Sequence, residues 1–228
     1  MKKIIFTIGI FAMFCLSFTC CQKPANEPEE EKTTTPEQVD LGLPSGLKWA
    51  SFNVGAKSEK GYGKYFEWGC EATEKEGWDT YCHGQKNAIT KYCTNEEYGT
   101  VDNLSTLELD DDAAHKAYGG KWRMPTKEEA LELWNNCSLT WDSIGTTYGY
   151  RFTGPNGKSI FLPANGWIDE EGGMHTVNED GLYWTSTLDV QNNNSAWGLI
   201  TRKEKGNAGV LTGNENRHFA RAIRAVHP

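Results

Sequence analysis

The sequence predicts an α+β domain, mainly antiparallel, in which two helices pack against a small twisted sheet with long loops. Three observations point there. In several short runs apolar residues alternate with polar ones, as in strands with one buried face. Two other segments carry helix-start signals followed by apolar residues three and four apart. Finally, 24 glycines accompany nine each of Trp, Tyr and Phe, a composition that suits long loops around an aromatic core and argues against a helical bundle.

Taken in order, the chain opens Met1-Lys2-Lys3 and then runs apolar and uncharged from position 4 to 18, which predicts a secretory signal over residues 1–20. The run is short for a membrane span, which needs about 20 apolar residues. It ends in Phe18-Thr19-Cys20-Cys21-Gln22, which resembles the bacterial lipoprotein signal cleaved before a cysteine that carries diacylglycerol. Cleavage before Cys21 leaves small Cys20 at the preceding position, so Cys21 is the expected lipid attachment, with Cys20 the alternative. Each buried methylene of such an anchor contributes roughly 0.8 kcal/mol. Residues 21–38 are rich in Pro, Thr, Glu and Lys and hold no aromatic residue. They are too polar to offset the entropy of ordering and read as a disordered tether. The cluster Glu27, Glu29, Glu30 and Glu31 resembles the surface-export signal of Bacteroidota-type lipoproteins, which places the chain at the outer membrane, facing outward.

One domain is expected over residues 39–228. Apolar runs at 39–42 and 47–54 flank Leu43-Pro44-Ser45-Gly46 as a hairpin, and residues 62–68 form an aromatic strand. Residues 71–109 lack sustained periodicity and read as long loops with short strands. Asp110, Asp111 and Asp112 precede a short helix over 113–118 that stops at Gly119-Gly120. Acids at the positive helix end explain that cluster, since no calcium loop surrounds it. In Trp122-Arg123-Met124-Pro125-Thr126-Lys127-Glu128-Glu129, Thr126 and Glu129 stand at capping-box spacing, predicting a helix over 127–136. Its buried stripe is Ala130, Leu131, Leu133, Trp134 and Cys137. Tyr148, Tyr150 and Phe152 alternate, Gly154-Pro155-Asn156-Gly157 turns, and 159–162 returns as the second strand of a hairpin. Further strands are expected at 181–187, 195–201 and 218–226.

Six of these segments, in order, resemble one family. Val39-Asp40-Leu41-Gly42-Leu43-Pro44-Ser45-Gly46, Tyr65-Phe66-Glu67-Trp68-Gly69, Trp122-Arg123-Met124-Pro125-Thr126, Ile160-Phe161-Leu162-Pro163-Ala164, Tyr183-Trp184-Thr185-Ser186 and Ala222-Ile223-Arg224-Ala225-Val226 resemble the Fibrobacter succinogenes major paralogous domain. That family is similar to the formylglycine-generating-enzyme branch of the C-type-lectin-like fold. The resemblance implies that fold across residues 39–226. It implies little about activity, because a fold hosts many functions.

The chemistry expected is binding. Acidic residues outnumber basic ones 31 to 23, for a net charge of −8, and loss of Lys2 and Lys3 makes the balance more acidic still. Such a chain repels nucleic acid and anionic headgroups, leaving the N-terminal lipid as its membrane contact. An oxidase of the resembled branch would need paired cysteines in the C-terminal third, and none follows Cys137. Asp169, Glu170 and Glu171 are consecutive rather than opposed, as glycosidase carboxylates must be. No cofactor is expected, and no Cys-x-x-Cys or paired His gives zinc spacing, so His83 beside Cys82 carries no metal role. Calcium-dependent sugar binding in this fold uses Glu-Pro-Asn or Gln-Pro-Asp, which are absent. Four domain cysteines, Cys70, Cys82, Cys93 and Cys137, allow three connectivities, all left open. The expected ligand face is Asn192, Asn193, Asn194 and Trp197 with Asn207, Asn214 and Asn216, because amides donate and accept and indoles stack. Its partner would be a glycan or a surface protein. The alternative is a structural subunit or spacer of a surface assembly.

Overall fold

The strands begin where extended, β-branched or aromatic residues are bounded by turn formers. In the computed structural model, which describes residues 34–203 and 210–228 and gives 210–214 as backbone, β1 (Gln38–Asp40) pairs antiparallel with β2 (Lys48–Ala50). The turn between them is the predicted one, closed by Gly46 N donating to Leu43 O at 2.9 Å. The expected strand at 62–68 shortens to β3 (Tyr65–Phe66), paired with β4 (Ala72–Thr73). The excursion that follows holds one more small hairpin, β5 (Gly84–Gln85) and β6 (Ala88–Ile89).

Helix α1 (Ala113–Tyr118) starts on Asp112, whose Oδ1 accepts from Ala114 N and His115 N. Its other oxygen accepts from Met124 N at 2.8 Å. Asp112 therefore works as a cap, and Asp110 and Asp111 lie in the short 3-10 turn before it. Helix α2 (Lys127–Asn136) has the predicted bounds and a complete capping box between Thr126 and Glu129. The Glu129 carboxylate also takes both ends of the Arg123 guanidinium, at 2.7 and 2.6 Å. Ala130 and Leu133 are fully buried, but Leu131 is 36% exposed and leaves the expected stripe. It stands one position past Ala130, about 100° round the helix from the core-facing row.

The second half is strand-rich. β7 (Ser138–Ile144), β8 (Thr147–Thr153) and β9 (Ser159–Pro163) form one antiparallel sheet, which includes the expected hairpin and adds β7 as an unforeseen edge. A short hairpin of β10 (Trp167–Ile168) and β11 (Met174–His175) follows. β12 (Asp180–Leu188), β13 (Ser195–Arg202) and β14 (Val210–Asn216) make a second sheet in sequence order. The expected strand at 218–226 is mostly isolated bridges, with only β15 (Val226–His227) pairing beside β2.

Strand β12 is buried on both faces and divides the core. Tyr183 points into the cluster of Leu41, Trp49, Leu133, Phe152 and Leu162, while Trp184 points into that of Trp68, Trp122, Met124 and Ile223. Alternation of side chains along an extended strand sends neighbours to opposite layers. Two indoles tie β12 to the β3 segment: Trp68 Nε1 donates to Thr185 O, and Trp184 Nε1 to Phe66 O, each at 2.8 Å. Arg224, 1% exposed, stands in this core with its guanidinium on Asn53 Oδ1, Ala50 O and Phe161 O. The result is α+β: two helices, among the described residues, against small antiparallel sheets. All described residues fall in one compact unit, and no helix among them is long and apolar enough to cross a membrane. The expected signal, the expected lipid attachment at Cys21 or Cys20, and the part of the expected tether up to position 33 lie outside the described residues.

Candidate functional site

Among the described residues, the expected ligand residues do not assemble into one face. Asn192, Asn193 and Asn194 form the turn between β12 and β13, closed by Ser195 N on Asn192 O at 2.8 Å. Asn193 is fully buried: its Oδ1 accepts from Thr94 N at 2.7 Å and Asn95 N at 3.0 Å, and its Nδ2 donates to Asp189 O at 3.1 Å. Asn194, 5% exposed, pairs both amide ends with Asn87, accepting from its N and donating to its Oδ1. These two side chains are therefore corrected from ligand groups to loop fasteners, because a buried primary amide must satisfy both ends and here does so within the protein. Asn192 is half-buried and donates to Ser195 Oγ at 3.1 Å. Trp197 lies elsewhere, half-buried under the Lys127 ammonium, 3.2 Å from the ring centroid. Asn216 closes β14 and accepts Phe219 N on its backbone carbonyl. Asn214 also falls in β14, while Asn207 and the Asn214 side chain lie outside the described residues.

What these asparagines fasten is the excursion between β3 and α1. At its centre Arg217 is fully buried, with its guanidinium carbon 4.8 Å from the Trp68 ring centroid and 5.3 Å from that of Tyr81. It donates to Tyr81 Oη, Tyr92 O, Asn193 O and Lys91 O, at 2.8 to 3.2 Å. Burial lowers its pKa, partly opposed by Tyr81. Aromatic faces and carbonyl dipoles thus replace a carboxylate partner. None of the three two-disulfide connectivities is complete: the structure contains Cys70–Cys82, while Cys93 and Cys137 are free thiols.

Two carboxylates are buried under the same loop. Glu67, 4% exposed, accepts Gly77 N at 3.1 Å, and burial pushes its pKa up to about 7. Glu76, 6% exposed, accepts Ala220 N at 3.0 Å and meets the Arg221 guanidinium at 3.5 Å. Burial raises it to about 6, against the pull of Arg221. Both hold the 70–82 loop to its surroundings.

At the foot of this loop opens a cleft of about 240 Å³ lined by Val54, Gly55, Lys64, Phe66, Cys70, Glu71, Ala72, Ala113, Lys116 and Ala117. Its floor is apolar, from β3 and α1, and the exposed side chains of Lys64, Lys116 and Glu71 stand on its rim. The Cys70 sulfur in its wall is engaged in the disulfide. Such a wall can hold a small apolar body carrying an anionic group; among these lining residues none is an activated nucleophile. The cleft escaped the sequence because its walls come from four separated segments. Comparison with protein-family models, with curated proteins and with solved structures gives no match at the level of significance applied.

Proposed function

We propose that this chain is an outer-membrane lipoprotein, moored through Cys21, whose outward-facing domain has the C-type-lectin-like architecture and binds a ligand without transforming it. The small antiparallel sheets, two helices and long braced excursion fit that architecture. One observation carries the binding reading: a cleft with an apolar floor and two rim ammonium groups on a chain of net charge −8. Local positive charge on an acidic surface selects an anion that approaches closely. The ligand class is a glycan or protein that presents a carboxylate between Lys64 and Lys116 and lays apolar surface over Phe66. A preorganised wall favours such binding because little is ordered on contact.

The test is titration of the protein with uronic-acid oligosaccharides and a screen of envelope and host proteins. Replacing both Lys64 and Lys116 by Ala is expected to weaken binding roughly tenfold or more and to flatten its salt dependence. Unchanged binding in the double variant would remove the cleft, turnover of a bound ligand would remove the non-catalytic reading, and failure to incorporate labelled palmitate would remove the mooring. The second reading, a subunit of a surface assembly, is favoured by β7, which edges its sheet among the described residues beside Tyr148, 43% exposed. Self-association on gel filtration that a Pro at an outward amide of β7 abolishes would select it.

A further inference from the structure

The Cys70–Cys82 bond has a third neighbour. A ring nitrogen of His83 and the two sulfurs all lie within 4.8 Å of one another. Two thiolates and an imidazole are a soft, nitrogen-containing donor set that zinc takes readily. While the sulfurs are bonded to each other, neither offers a thiolate. We propose that this corner is a redox-gated zinc site, a disulfide when oxidised and a Cys2His centre when reduced.

The chemistry balances with a dithiol as reductant. Two electrons and two protons pass from it to the Cys70–Cys82 bond, which breaks into two thiols while the donor's own sulfurs join. Zinc then displaces both thiol protons to solvent, and His83 stays neutral: Nε2 donates to Gly69 O in the oxidised form, so ligation through Nε2 moves the ring proton to Nδ1 and gives up that bond. The resulting zinc–dithiolate unit is formally neutral, so it adds no net charge beside buried Arg217.

Geometry favours the exchange. Zinc–sulfur bonds of about 2.3 Å at a tetrahedral angle set the sulfurs ~3.8 Å apart. The Cα atoms of the pair are 5.8 Å apart, and Cys82 is exposed, so rotation of its side chain can open that gap without moving the backbone. Both partners already converge on one carbonyl: His83 Nε2 is 3.0 Å, and Cys82 Sγ 3.6 Å, from Gly69 O. Gly69 has φ 76°, and a Cβ there would come 3.0 Å from His83 Nε2 and 2.9 Å from Leu107, so glycine alone lets the imidazole approach. The ring is gripped edge-on by Tyr81 and Tyr92, with centroids 5.8 and 5.4 Å away. The exposed Cys82 side leaves a fourth position to water.

The site was missed in the sequence because Cys70 stands 12 residues before Cys82, far from Cys-x-x-Cys spacing, and only folding carries it to the Cys82-His83 pair. The inference stands apart from the cleft reading. It is tested on the intact domain in a Cys93→Ser, Cys137→Ser background, which leaves Cys70 and Cys82 of the four domain cysteines. Protein reduced with a phosphine under argon is titrated with zinc, and with cobalt to read thiolate-to-metal charge transfer. One equivalent is expected to bind to the reduced protein and none to the oxidised protein. His83→Gln, which keeps a hydrogen-bonding group near Gly69 O, is expected to weaken binding roughly tenfold or more. Equal zinc binding by oxidised and reduced protein would overturn the proposal, as would His83→Gln binding as tightly as the parent. Loss of the near-ultraviolet circular dichroism on reduction would overturn it too, since the ligands would then have no scaffold.

Discussion

Replacing Glu67 by Gln tests how the protein tolerates an ionisable group under its disulfide loop. Burial is the largest influence on Glu67, and neighbouring Glu76 adds repulsion, so its pKa rises from 4.5 to about 7. A raised carboxylate pKa means that the native state holds the proton more tightly than the unfolded chain. Stability from this group is therefore fully present below pH 4.5, falls as pH rises through the interval to about 7, and is lost above it. At about 1.4 kcal/mol per pH unit, ionised Glu67 costs at most about 3.5 kcal/mol. Gln keeps an oxygen for Gly77 N and carries no charge at any pH. Denaturant unfolding of both proteins from pH 4 to 8.5 should show the variant gaining on the parent across that window, by about 2 to 3 kcal/mol at the alkaline end. Any fixed cost of the amide appears equally at every pH and drops out of the comparison. A stability difference that stays constant from pH 4 to 8.5 would refute the reasoning, because it would mean that Glu67 ionises in the folded protein as easily as in water.

Four further outcomes follow from the contacts described above. Asn193→Ala should destabilise the fold by about 2 kcal/mol in urea unfolding, since it strips the half-buried Thr94 and Asn95 amides of their acceptor and leaves a gap at a fully buried position. Asn192→Ala, on a half-buried side chain, should change stability by less than about 1 kcal/mol in the same assay. Arg217→Lys should cost about 3 kcal/mol or more, because an ammonium cannot reach Tyr81 Oη and three carbonyls together; a variant as stable as the parent in guanidinium would show that the planar fork is dispensable. Thr126→Ala should lower stability by about 1 kcal/mol through loss of the α2 cap, read from the thermal midpoint, while leaving zinc binding by the reduced protein unaltered.

The local elements were legible wherever a short stretch of chain contained its own reason. Thr126 and Glu129 are three apart and close the capping box on each other, so the bounds of α2 followed from the sequence. Tyr148, Tyr150 and Phe152 alternate on one strand, and Gly154-Pro155-Asn156-Gly157 turns it, so the hairpin of β8 and β9 followed as well. Strand β14 did not, since its Asn- and Gly-rich sequence pairs only because β13 lies beside it.

The candidate sites were legible mainly as residue types. Asn193 and Asn194 were expected to meet a ligand and instead fasten a loop, because whether an amide meets a ligand or Thr94, 99 residues away, depends on what packs over it. Likewise four cysteines left three pairings open until Cys70 and Cys82 were brought together by the loop under Arg217 and Glu67. Sequence by itself determined the α+β class, both helices with their caps, and the acidic, aromatic and glycine-rich character of the domain. Tertiary structure alone decided the lysine-rimmed cleft, the buried carboxylates, the disulfide and the Cys70–Cys82–His83 corner, because burial and proximity arise between distant segments and are written in no one of them.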